Sequence, residues 1–162
     1  MEEDPGDALA GRLTAGGHEL RQRVYFEDTD FTGLVYHARY LHFMERGRSD
    51  YLRLLGIRHL DLAADGIAFV VRRMEIDFMR PARIDDVLTI RTGPRGCSGA
   101  RLELAQSVLG EGNRVLVSAR LVLALIGAAG RPVRLPPALR AAFTAAPSPD
   151  RADAGSTAER SA

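Results

Sequence analysis

The clearest periodic stretch of the chain runs from about Ala38 to Leu55. Tyr40, Phe43, Met44, Gly47, Tyr51, Leu54 and Leu55 recur at i, i+3, i+4, i+7, i+11, i+14 and i+15, one apolar face of an α-helix. His42, Arg46, Ser49, Asp50 and Arg53 cover the other side. Gly56 follows the last apolar pair, where glycine readily takes the left-handed conformation that ends a helix. Gly47 costs stability in mid-helix, and its place on the apolar face points to a close approach to a sheet.

Elsewhere the period is two. His18–Glu27 has strand character, with Val24, Tyr25 and Phe26 at its end, and Asp28–Gly33 reads as a turn. Beyond the helix, Met74, Ile76 and Phe78 alternate with Arg73, Glu75 and Asp77 in a strand that starts near Ile67. Further strands are expected over Asp86–Thr92, Ala100–Leu109 and Arg114–Ile126, joined at Pro81–Asp85, Gly93–Gly99 and the tight Gly110–Asn113. The order is strand, long helix, then four strands on short turns. Short turns make antiparallel neighbours, so the expected class is α+β, one antiparallel sheet with a single helix against it. The other face and the edges of that sheet call for cover, which a second copy would supply.

The ends of the 162-residue chain are poor in large apolar side chains. Residues 1–17 and 145–162 are therefore expected as loose tails around a single packed domain over 18–144. A net charge of +1 gives no general pull toward nucleic acid. All 22 basic residues are arginine; codon bias explains this as simply as phosphate recognition, so the excess carries no functional weight. Cys97 stands alone, which excludes a disulfide framework and a cysteine-based zinc site. No apolar run approaches a membrane span and no signal-peptide pattern opens the chain, so the cytoplasm is the expected compartment.

Reactive side chains are densest just before the helix, in Glu27-Asp28-Thr29-Asp30-Phe31-Thr32-Gly33-Leu34-Val35-Tyr36-His37. No Ser, Thr, Asp or Asn immediately precedes the helix as a cap, which leaves its first N–H groups for an external oxygen. A carboxylate facing such donors can activate water or attack a carbonyl while they stabilise an oxyanion. An ordinary acidic turn leading into a helix accounts for the same residues. Asp28 reads as a turn-capping aspartate, though repulsion between it and Asp30 would raise one of the two pKa values if both shared a face. Glu45, in the second helical turn, is a rival carboxylate or a solvated ion-pair partner. Gly96-Cys97-Ser98-Gly99 lacks the spacing of a nucleophile elbow. His37 and His42 lie roughly 140° apart around a helix and share no metal-binding face. No glycine pattern matches a nucleotide-binding loop.

Two segments carry a resemblance. Arg23–Gly56 (RVYFEDTDFTGLVYHARYLHFMERGRSDYLRLLG) and Val70–Thr92 (VVRRMEIDFMRPARIDDVLTIRT) resemble the hotdog-fold thioesterases of the 4-hydroxybenzoyl-CoA thioesterase type. Within that type they are most similar to the branch associated with the Tol–Pal envelope system. The resemblance implies a hotdog fold, in which one antiparallel sheet wraps around a long central helix, and hydrolysis of acyl-CoA. It matches Asp30 to the catalytic aspartate, acting as general base on water or as nucleophile. It matches Tyr36 and His37 to the pair at the helix start and places Gly33 and Tyr36 beside the substrate.

In this reading the backbone N–H near His37 donates to the oxyanion. The His37 side chain orients substrate or water, or makes a structural hydrogen bond. Arg72, Arg80 and Arg83, with Arg73 beside them, would meet the phosphates of coenzyme A, since guanidinium suits phosphate geometry. Coenzyme A is part of the substrate; no separate cofactor and no metal are implied. A homodimer or homotetramer with sites between subunits is expected. Release of acyl chains from a carrier protein, and a non-enzymatic acyl-binding partner of an envelope complex, are the alternatives. Arg39 departs from the pattern, standing where many relatives carry Asn or Ser.

Overall fold

The structure is a computed structural model that describes residues 9–145. Strands β1 (Arg12–Thr14) and β2 (Gly17–Arg23) form a hairpin ahead of helix α1 (His37–Leu54) and the short helix α2 (His59–Ala64). Strands β3 (Ala68–Phe78), β4 (Val87–Ser98), β5 (Arg101–Leu109) and β6 (Val115–Ile126) follow, and helix α3 (Pro137–Ala145) closes the order. The six strands make one sheet in the order β1-β2-β4-β5-β6-β3, and every pair is antiparallel. The α+β class expected from the strand and helix periods is the one observed.

Alternation along the strands decides which face holds α1. Leu88, Ile90 and Thr92 of β4, Leu102, Leu104, Gln106 and Val108 of β5, and Val117, Ala119, Leu121, Leu123 and Leu125 of β6 are all buried. Tyr40, Phe43, Met44, Gly47, Arg48, Tyr51 and Leu52 of α1 lie against them. The core divides into two apolar clusters along the helix. One gathers Tyr40, Phe43 and Met44 with Val24, Val35, Ala82, Leu88, Ile90 and Val108. The other gathers Tyr51 and Leu52 with Leu104, Leu123 and Leu125, and with Leu62, Leu139 and Phe143 from the short helices.

A buried polar seam separates them. Gln106 donates to Met44 O at 2.9 Å and to Thr92 Oγ1 at 2.8 Å, and accepts from Arg48 Nη1 at 2.9 Å. Arg48 was not foreseen as a core residue; it is tolerated there because its guanidinium also pairs with Glu45. Gly47 sits over this seam, and a Cβ built on it would lie 2.9 Å from Ile90 Cγ2 and 3.2 Å from Thr92 Oγ1. The close approach expected of Gly47 is therefore present.

The structure differs from the sequence reading in several places. Pairing begins ahead of the expected boundary at residue 17, because Arg12–Thr14 adds a strand to β2 in register Arg12↔Glu19, a gain in ladder bonds that composition does not show. Residues 1–8 and 146–162, expected as tails, lie outside the described residues. Strand β4 runs to Ser98 rather than ending near Thr92, since a bulge between Pro94 and Gly96 absorbs the proline within the ladder. Helices α2 and α3 were not anticipated; α3 lays Leu139 and Phe143 over the second cluster, with Phe143 edge-on to Phe69 at 6.2 Å. Finally, the outer sheet face carries Glu75 opposite Arg120 and Arg91 opposite Ser107 and Glu19. A face of that polarity needs no apolar cover, so of the two features expected to call for a second copy the edges retain the argument and this face does not.

Gly47→Leu is expected to cost about 1–3 kcal/mol of stability, since the added side chain must displace the β-branched Ile90 from a packed core. Thermal or urea unfolding measures this, and an unchanged midpoint would refute the tight contact.

Candidate active site

The turn expected to carry the chemistry is built from both ends. On the strand side, Val24 exchanges bonds with the β3–β4 connection, donating to Asp86 O at 2.9 Å and accepting from Asp85 N–H at 3.0 Å. A single 3₁₀ turn, Phe26–Asp28, follows. Asp28 is 3% exposed, and its Oδ2 accepts the Tyr25 N–H at 2.8 Å, the turn-capping role its composition suggested. On the helix side, Val35 N–H donates to Ala82 O at 2.9 Å and Tyr36 N–H to Asp28 O at 2.9 Å. The chain between is closed by a bridge between Thr29 and Val35.

Asp30 lies at the tip of this closed loop. Its N–H donates to Leu34 O at 2.8 Å, and its own carbonyl accepts the Gly33 N–H at 3.0 Å. Gly33 takes φ 77°, a left-handed conformation that favours glycine, so its role here is to let the loop turn. The Asp30 carboxylate is exposed on this chain. Its Oδ1 accepts from Thr32 Oγ1 at 2.5 Å and from Thr32 N–H at 2.8 Å. The Thr32 hydroxyl first, and then its N–H, hold the Asp30 carboxyl below the usual aspartate value. Asp30 is thus an ionised carboxylate throughout the neutral range.

Seven residues further on, α1 begins. Tyr36 occupies the position before it with no side-chain capping bond. The N–H of Tyr36 is taken by Asp28 O and that of Arg39 by Tyr36 O at 2.8 Å. The N–H groups of His37 and Ala38 lie between these two at the uncapped end, where the helix dipole favours negative charge. The rings of Tyr36 and His37 are 4.6 Å apart, and His37 stands edge-on to Phe78 at 6.1 Å.

The remaining candidates divide. Arg83 is brought beside the loop by its backbone bridge to Leu34, and its N–H donates to Asp86 Oδ2 at 2.9 Å. Arg80 lies just past the end of β3 and donates to Val115 O at 3.4 Å. Arg72 sits at the β3 bulge between Val71 and Arg73, six residues from Phe78 and so about 20 Å up the edge strand. It does not join the others on this chain. Glu45 pairs with Arg48 and accepts from Ser49 Oγ at 3.4 Å, which makes it an ion-pair partner of the helix surface.

Two contributors were missed. Thr32 grips Asp30, and the Asp-x-Thr order was a readable signal, since hydroxyls and N–H groups two residues on commonly bond an aspartate. An apolar surface also surrounds the loop: Phe31 is fully exposed, Phe26 is 83% exposed, and Tyr25, Phe78, Met79 and Ile84 are each about half exposed. Nothing in the periodicity separates such residues from the core.

One antiparallel sheet wrapped on one long helix, with a carboxylate turn at the helix start, is the α+β hotdog arrangement. The chain belongs to the thioesterase-like superfamily, whose family model matches residues 24–143. It is 38% identical over 130 residues to the acyl-CoA thioesterase YbgC of Haemophilus influenzae, covering 78% of this chain and 94% of that protein. It is also similar to a probable thioesterase of Bartonella henselae, with 50% identity and a TM-score of 0.70 over 74% of this chain and 98% of that one. A thioesterase of Thermus thermophilus solved with coenzyme A and zinc is 30% identical, with a TM-score of 0.68 over 78% of this chain and 92% of that one. Among the described residues no cluster of His, Cys, Asp and Glu is arranged to hold a metal. No described helix is long and apolar enough to cross a membrane.

Thr32→Val removes one of the two bonds to Asp30 Oδ1 and keeps the other. The carboxyl titration of Asp30, followed by NMR, is expected to move upward toward the ordinary value of about 3.9. An unmoved midpoint would show that the hydroxyl does not hold the charge.

Proposed function

We propose that this protein hydrolyses acyl-CoA thioesters to a carboxylic acid and coenzyme A, with Asp30 as the reacting carboxylate. The observation that carries the reading is the placement of an ionised, Thr32-bonded Asp30 on the closed loop that leads into the uncapped start of α1. The acyl-CoA thioesterase YbgC of Haemophilus influenzae, 38% identical, supports the substrate class.

The chemistry needs few parts. The thioester carbonyl is electrophilic and its leaving group is a thiolate whose conjugate acid titrates near ~8.5, so strong general-acid help is dispensable. In one route Asp30 accepts a proton from water as the hydroxide adds to the carbonyl carbon; the adduct then collapses, breaking the C–S bond, and the departing thiolate takes the proton back from Asp30. In the other, Asp30 adds to that carbon itself, expels the thiolate and leaves a mixed anhydride, which water then cleaves. In both, the carbonyl oxygen gains negative charge that the N–H groups of His37 and Ala38 are placed to receive. An ionised Asp30 carboxylate serves either route, as the base that receives the proton or as the group that attacks. Tyr36 and His37 flank the substrate, and Arg83 and Arg80 offer guanidinium groups to its phosphates. Coenzyme A is part of the substrate in this reading.

The working unit in this reading is a homodimer or a dimer of dimers. The support is the unpaired edge of β3 and the apolar surface around Asp30, both of which a second copy would cover.

Asp30→Asn is expected to lower kcat/KM about 10²–10⁴-fold while the fold and oligomeric state persist. A panel of acyl-CoA esters of graded length and aromaticity, assayed for thiol release, measures this. Turnover near that of the unmodified protein would remove Asp30 from the mechanism.

A further inference from the structure

We propose that Arg39 is a positioning residue, which acts through the buried Asp28 carboxylate to fix the Asp30 loop against the start of α1. The inference rests on the reading of Asp30 as the reacting group and adds the device that aims it.

The contacts converge on the base of the loop. Arg39 is the third residue of α1, and side chains there point back toward the helix N-terminus. Its guanidinium reaches the 3₁₀ turn, donating to Glu27 O from Nε at 3.3 Å and from Nη2 at 3.1 Å. The same Nε lies 3.4 Å from Asp28 Oδ1. The other carboxylate oxygen of Asp28 accepts the Tyr25 N–H at 2.8 Å, and the Asp28 carbonyl accepts the N–H of Tyr36 at 2.9 Å. Asp28 therefore joins the strand exit, the loop and the residue that precedes α1, and Arg39 neutralises it from inside the helix. The side chains of Arg39 and Asp28 are 28% and 4% exposed, so solvent screens the pair weakly.

Asp30 is two residues beyond Asp28, and His37 is one residue beyond Tyr36. The distance between the carboxylate and the helix N–H groups is thus set through the Asp28–Tyr36 junction. If that junction loosens, the loop retains its internal bonds to Thr32 and Leu34 but is free to tilt as a unit. A displacement of about 1 Å at a reacting group is worth on the order of 10²-fold in rate. Arginine suits the task because its planar fork serves two acceptors at once, a carbonyl and a carboxylate, where a lysine ammonium is a single point charge.

The test compares Arg39→Met, Arg39→Lys, Asp28→Asn and the Asp28→Asn/Arg39→Met pair in the full-length protein. The substrate is the acyl-CoA that the unmodified protein turns over fastest. Arg39→Met is expected to lower kcat about 10–100-fold with KM within about threefold. Arg39→Lys should regain part of the loss, and the double variant should be no slower than Arg39→Met alone, as residues acting through one junction are non-additive. Amide exchange over 29–36 should quicken while β4–β6 stay protected. Unchanged kcat in Arg39→Met, a rise confined to KM, or additive losses in the pair would each overturn the proposal. If Arg39→Met does not fold, Arg39→Lys alone decides, since a kcat equal to the unmodified protein with unchanged exchange also refutes the two-acceptor clamp. Asp30→Asn is run alongside. If it remains active, the Asp30 reading falls and this inference with it; if it is inactive while Arg39→Met is normal, this inference alone falls.

Discussion

Helix α1 lies on the sheet closely enough that Gly47 has no room for a side chain, and most of the molecule follows from that contact. A Cβ there would meet Ile90 and Thr92 from β4. The approach lets Gln106 of β5 reach the Met44 carbonyl, so the sheet bonds to the helix backbone itself. Two apolar clusters then fill the space on either side of the polar seam, Phe43 and Met44 toward the helix start, Tyr51 and Leu52 toward its end. Apolar burial alone is non-directional and would tolerate sliding of the helix along its axis. The seam resists it, because any shift would strand the buried Arg48 and Gln106 without partners.

A helix held in register has an N-terminus at a defined place, and the site depends on that. The start of α1 is tied to the β3–β4 connection by Val35 and Ala82, and by the Ala82 N–H that donates to Tyr40 Oη at 3.0 Å. The Asp30 loop therefore hangs between two fixed points, the end of β2 and the first turn of α1. Within it, two aspartates of identical chemistry separate by environment. Asp28 is buried and spends its oxygens on Tyr25 and Arg39, whereas Asp30 is exposed, with Thr32 on one oxygen. The first is committed to structure, and the second keeps one oxygen exposed, as the proposed role requires.

The α-helix was legible because seven apolar positions repeat at its period over four turns, a signal that short elements cannot carry. The 3₁₀ turn, α2 and α3 span a turn or two each, and their existence depends on tertiary partners such as Phe69 and Phe143 rather than on their own pattern. Strand β1 was hidden for a similar reason: three residues of mixed polarity become a strand through pairing with β2. Glycine and proline over residues 93–96 read as a break, yet a bulge kept them in the ladder. At the site, residue chemistry alone left an acidic turn before a helix, and the family resemblance singled out Asp30. Thr32 carried a local signal that went unread. Arg39 carried none, because its partners Glu27 and Asp28 lie across the loop, and sequence spacing does not place a guanidinium over an open turn.

The polarity of the two sheet faces narrows how the molecule can be completed. The outer face sets Glu75 opposite Arg120 across strands and pairs Glu19 with Arg91, so burying it against another apolar surface would cost the hydration of several charges. Strand β3 is different. Among the described residues it closes the sheet with an unpaired edge of 11 residues, exposes Val70, Val71 and Phe78, and runs directly into the exposed Met79. Water at that edge competes for the ladder bonds and also bathes the carboxylate. Covering the edge would therefore do two things at once: satisfy the strand and lower the dielectric around the start of α1, which would strengthen the pull of the helix dipole on the oxyanion of the proposed reaction. With Asp30 as the proposed reacting group, assembly through β3 would meet the chemistry on one side of the fold, because Phe78 at the end of β3 stands 6.1 Å from His37 at the start of α1.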